Sequence, residues 1–86
     1  MNQTKTQYQR RMRELATKLA ETLEALEDLA TDLEEEAEGI EPYEGRDELT
    51  PAQEERQQWL EDAQGATSDL RDAIDDNLGD LEYLVY

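Results

Sequence analysis

Carboxylates are the one abundant reactive group in this chain: 24 of its 86 residues are Asp or Glu, and it contains no His and no Cys. Carboxylates at helical spacing can work in acid–base pairs, hold divalent cations, or present ordered negative charge. Acid–base work needs a pocket that buries one carboxyl and separates the pair's pKa values. So polar a chain builds too thin a core for that pocket. The stretch Asp75-Asp76-Asn77-Leu78-Gly79-Asp80 resembles a calcium loop but fails the pattern. Its glycine comes one position early and no glutamate follows at the twelfth position. Glu34-Glu35-Glu36 would hold cations only loosely, as any acidic cluster can. There is no glycine-rich phosphate loop, and without cysteine there are no disulfides or zinc–thiolate sites. The sequence therefore predicts no enzyme, no cofactor and no metal centre. Ordered negative charge remains.

What positions those acids is helix. Low aliphatic content, 15 residues of Leu, Ile and Val with no Phe, together with high net charge, is a compositional signature of disorder. Periodicity outweighs it. Met12, Leu19, Leu26 and Leu33 stand seven residues apart, with Tyr8, Leu15 and Leu29 as the alternate seam row and Thr22 its polar member. The spacing predicts a helix over 6–38, about 50 Å long at 1.5 Å per residue. Gly39 suits a helix end, and Pro42 cannot lie inside the same helix. After a loop over 39–49, Thr50-Pro51-Ala52-Gln53 carries the marks of a capped start. A second helix follows over 51–84, its stripe made of Trp59, Leu60, Ala63, Thr67, Leu70, Ile74, Leu78, Leu81 and Val85. Gly65 invites a break and Gly79 fraying. Trp59 reads as core and Tyr43 as a loop aromatic. The apolar terminus Leu81–Tyr86 is expected to pack on Tyr8 and Met12 or on a second subunit.

The expected fold is all-α: an antiparallel, coiled-coil-like two-helix hairpin in a single domain. Two helices bury little, so three completions fit. The chain bends at Gly65 into a third short helix, dimerises into a four-helix bundle, or orders against a partner. No run of about 18 apolar residues exists to span a membrane, and the first residues lack the apolar stretch of a secretion signal. A cytoplasmic location is the corresponding expectation.

The net charge of −16 is unevenly placed. Residues 1–20 hold five basic side chains against one acid; residues 21–55 hold fifteen acids against Arg46 alone; residues 56–86 hold eight acids against two arginines. In a hairpin, Arg10, Arg11, Arg13 and Lys18 would face Asp69, Asp72, Asp75, Asp76 and Asp80. The acidic middle has no such complement. No Lys or Arg occurs between Lys18 and Arg46, although Glu–Lys pairs four apart would each add about 0.2–0.5 kcal/mol. A local rule broken without structural gain points to function.

Carboxylates three or four residues apart on a helix lie about 4.5–6 Å apart along its axis, comparable with the few-ångström charge spacing of a nucleic-acid strand. In size, charge and helicity the chain resembles the small acidic DNA-mimic inhibitors of phages and mobile elements, which block CRISPR effectors, restriction enzymes or repair glycosylases. They share no sequence motif, so no residue role is carried over. The resemblance implies a non-catalytic inhibitor of a basic nucleic-acid-binding protein or complex, with no direct contact to nucleic acid or membrane. The residues expected to carry binding are Glu21, Glu24, Glu27, Asp28, Asp32, Glu34, Glu35, Glu36, Glu38, Glu41, Glu44, Asp47, Glu48, Glu54 and Glu55, aided by Asp62 and Asp69. The alternative is a self-associating structural or adaptor hairpin, a homodimer whose acidity serves solubility or salt adaptation.

Overall fold

The structure is a computed structural model that describes residues 4–85. Met1–Gln3 and Tyr86, the last residue of the expected apolar terminus, lie outside it. Two helices, α1 (Lys5–Glu38) and α2 (Pro51–Val85), pack against each other along their whole length as a hairpin. The result is a rod of 70 × 19 × 16 Å. No helix among the described residues is long and apolar enough to cross a membrane.

Both helices start on reciprocal caps. The Thr50 hydroxyl accepts from the Gln53 amide at 3.2 Å, and the Gln53 side chain accepts from the Thr50 N–H at 2.9 Å. Thr4 and Gln7 form the same box, at 3.2 and 2.8 Å. Each box satisfies two backbone donors that the first turn leaves open. At the far end of α1, the Gly39 N–H closes the helix on the Glu35 carbonyl at 3.0 Å. The connecting loop turns at Tyr43–Arg46, where the Arg46 N–H donates to the Tyr43 carbonyl at 2.9 Å and Gly45 takes a φ of +83°. That backbone region is open to glycine at no steric cost.

The expected break at Gly65 does not occur: α2 runs unbroken through Gly65 and Gly79. Packing along the rest of the seam offsets the roughly 1 kcal/mol that each glycine costs relative to alanine. A Cβ added at either position meets nothing within 4 Å. Gly65→Ala and Gly79→Ala are each expected to raise stability by about 1 kcal/mol. Thermal melts followed by circular dichroism check this, and a fall in the midpoint would show that α2 needs the glycine.

The seam keeps the expected row Met12, Leu19, Leu26 and Leu33 and most of the expected α2 stripe, but replaces the second row of α1. On α1 the buried and half-buried rows are Met12, Leu19, Leu26, Leu33 and Gln9, Ala16, Leu23, Ala30, Ala37. Tyr8, Leu15 and Leu29, expected in the second row, stand about half exposed. On α2 the covered rows are Gln53, Leu60, Thr67, Ile74, Leu81 and Gln57, Gln64, Arg71, Leu78, Val85. Trp59, expected in the core, is 64% exposed, and Leu70 is likewise turned outward. Size decides the choice of row. The alanines of α1 admit the longer side chains of α2 that lie level with them, as where the Gln57 amide reaches over Ala37 to its carbonyl at 3.2 Å. A row of Tyr and Leu there would overfill the gap. At the open end Val85 is buried and Leu81 partly covered, while Tyr83 and Leu84 face outward. The Gln9 side chain holds the Leu84 carbonyl at 3.2 Å.

Candidate acidic interface at the loop end

Antiparallel pairing sets the electrostatics. Gln9 bonds Leu84, Glu36 pairs with Arg56, and Gln53 bonds Glu41, so a residue of α1 lies level with the α2 residue whose number brings the two to about 93. The start of α1 therefore lies beside residues 73–85. Residues 1–20 and 73–86 together hold five basic and five acidic side chains, while residues 21–72 hold nineteen acids and three arginines. The open half of the rod is neutral, and the loop half carries the whole −16. The expected facing of the basic start by Asp69 and Asp72 is corrected on this register, because they fall level with Glu24 and Glu21, past Lys18. Arg71 holds Asp72 at 3.1 Å.

All seventeen residues of the predicted interface are exposed. Glu36 is paired with Arg56 at 2.7 Å and Glu27 with Arg71; the other fifteen have no ion-pair partner among the described residues. Arg71 reaches Glu27 from a packed row, and its Nε is buried without a hydrogen-bond partner in the protein. Its pKa is raised above the ordinary arginine value, first by the hydrogen bond it donates to the Glu27 carboxylate and then by that residue's charge.

Residues 21–38 of α1 and the level stretch 55–72 of α2 carry fourteen acids and two arginines. Over the roughly 27 Å that eighteen helical residues span, this is one net charge per about 2.2 Å of axis. Duplex DNA carries one per about 1.7 Å. The rod therefore approaches the line charge of a nucleic acid.

The acids do not form a single face. Glu21, Asp28 and Glu35 share one row of α1, turned away from α2, whereas Asp62 and Asp69 share a row of α2 turned the opposite way. The seventeen residues wrap the rod, and the two aiding acids sit across it from the main row. The pairing also adds a residue the sequence reading omitted. Glu61 joins Glu34 and Glu38 around a shallow cleft floored by Ala37, Gln57 and Gln64. Only the inter-helix register could reveal it, since Glu61 lies 27 residues from Glu34 in the chain. Among the described residues no three acidic side chains converge as metal ligands would.

The charge also runs against the helix itself. The first turn of α1 contains no acid and its last turn no base; Lys5 opens the helix and Glu34–Glu38 close it. A helix dipole favours the reverse, by typically about 0.3–1 kcal/mol per charge. The acidic end of α2 accounts for the basic start of α1, whereas Glu34–Glu38 have no such complement beyond the Glu36–Arg56 pair.

The fold and surface thus define an acidic two-helix hairpin with one highly charged half. Comparison with family models, curated proteins and solved structures finds no match to this chain.

Proposed function

We propose that this chain is a non-catalytic acidic binding protein that mimics nucleic-acid charge. It acts in the cytoplasm on a basic nucleic-acid-binding protein and inhibits it by occupying the groove that holds DNA or RNA. This is the strategy of anti-defence inhibitors of the anti-CRISPR or anti-restriction type, carried by phages or mobile elements. The observation behind the reading is the line charge of the loop half, close to that of a duplex and left almost without internal counter-charge. That charge costs the helix stability, and a basic groove would offset the cost on binding.

The test starts from host proteins retained on immobilised duplex DNA. The chain should elute its partner from that DNA, and free duplex should compete for the same partner. Affinity should fall steeply between about 50 and 500 mM salt, as screening removes the steering field. Glu24→Gln, Asp28→Gln, Asp32→Gln and Glu35→Gln together should abolish elution. Binding that is flat in salt, or indifferent to competing DNA, would show that charge mimicry is the wrong mechanism.

A further inference from the structure

The rows flanking the seam differ on its two sides. On one side α1 presents Tyr8, Leu15, Thr22 and Leu29, seven residues apart, and α2 presents Leu84, Asn77, Leu70 and Ala63 level with them. One step further in the same two rows, Glu36 and Arg56 are joined by the 2.7 Å ion pair, which fixes the rows side by side. Large apolar side chains are exposed all along this side: Leu15 is 55% exposed and Leu84 60%. Between them runs an open apolar groove over Leu19, Leu70, Ile74 and Leu81. The opposite side of the seam carries Arg13, Glu27, Glu34 and Glu61, and is polar.

Helices with two seam rows plus one apolar flanking row are the helices of bundles, not of isolated pairs. The accessible area agrees. The chain exposes 6958 Å², against roughly 5,200 Å² for a compact monomer of its 10.0 kDa mass. The excess of about 1,700 Å² exceeds the roughly 800 Å² per partner of a standard interface and suits an obligate dimer. Among the described residues no side chain is completely buried, and the covered core is limited to Ala16, Ala30, Ala37, Leu60, Leu78 and Val85.

We infer that this apolar side is covered by a second copy of the chain, packed antiparallel across a two-fold axis to make a four-helix bundle. Area and self-complementarity select the occupant, and charge selects the direction. A parallel pair would set one −16 half against another. The antiparallel pair lays the acidic half of each copy over the neutral half of the other, with the loops at opposite ends. A two-fold axis at the level of residues 18–19 puts Tyr8 level with Leu29 of the second copy and Leu84 level with its Ala63. The same axis serves both helices, so the surface is complementary to itself, as an isologous contact requires. The outward acid rows stay uncovered, and the dimer stands whether or not the acids mimic nucleic acid.

Sedimentation equilibrium of the purified chain should give twice the 10.0 kDa chain mass. Leu15→Glu with Leu70→Glu should weaken the dimer by at least about a hundredfold, since a charge placed in an apolar contact loses its water without gaining a partner. Should that variant fail to fold, orientation is read independently. The chain has no cysteine, so Tyr8→Cys with Leu29→Cys should oxidise to a covalent dimer in native buffer, whereas Glu21→Cys, on the outward row, should not. A fully helical monomer at about 100 μM chain would overturn the inference. So would a dimer unaffected by Leu15→Glu and Leu70→Glu, or cross-linking through Glu21→Cys but not through the paired positions.

Discussion

Leu78→Ala is expected to remove most of the hairpin's stability at room temperature. Leu78 is 6% exposed and, with Leu60, is one of only two buried side chains larger than valine among the described residues. Truncating a buried leucine costs about 2–5 kcal/mol, the upper part where the surroundings cannot collapse into the space. At about 0.05–0.15 kcal/mol per residue, a chain of this length has about 4–13 kcal/mol in all, and a two-helix core belongs at the low end. One substitution thus removes most of the margin. Tyr83→Ala is the comparison: Tyr83 lies on the same helix, 87% exposed, and its loss should cost less than about 0.5 kcal/mol. Urea titrations at one fixed chain concentration read both, which matters because association would add to apparent stability. Equal costs for the two variants would mean that the packed rows have been assigned to the wrong face.

The second large effect has the opposite sign. Removing charge from the outer acid rows should stabilise the fold at low salt while destroying the proposed binding surface. Glu24, Asp28, Asp32 and Glu35 take part in seven like-charge pairs at three- or four-residue spacing, with one another and with Glu21, Glu27, Glu36 and Glu38. At about 0.2–0.5 kcal/mol each, converting all four to glutamine is worth about 1.5–3.5 kcal/mol. Relief of the unfavourable dipole at the end of α1 adds to that. At about 1 M salt, where the screening length falls to about 3 Å, most of the gain should vanish. Melting the parent and the four-glutamine chain at both salt concentrations checks this directly. A gain that persists undiminished in high salt would trace to glutamine's helix propensity instead of to repulsion. A chain whose stability rises as its binding fails shows acidity kept for function; stability and binding both unaffected would support the solvated-surface alternative.

Much of the architecture was legible in the residues. Thr50, Pro51 and Gln53 announced the start of α2, because a capping box is a local device that needs only four consecutive residues. Gly39 and Pro42 marked the end of α1 on equally local grounds. Thr4 with Gln7 forms the same box four residues before Tyr8, an equally local signal that the expected start at residue 6 left unused. Gly65 misled, because propensity records the cost of a glycine and not the packing on either side that offsets it. Trp59 misled for a related reason. A stripe of apolar residues says that a helix has a face, but not which rows of a wide face the neighbouring helix covers. The seventeen candidate acids all stand exposed, whereas their distribution around the rod, and the addition of Glu61, followed only from the register.

By itself, then, the sequence determined two helices, their ends, the hairpin and the excess of negative charge. All four follow from interactions within a few turns of helix or from simple composition. Tertiary structure alone decided which rows are buried and where the charge stands uncompensated. Alanines facing longer side chains set the close approach that leaves Tyr8, Leu15, Leu29 and Leu70 outside. Antiparallel pairing then brings the basic start of α1 level with the acidic end of α2, more than 50 residues away in the chain. Those charges balance, and the −16 is left in one half of the rod.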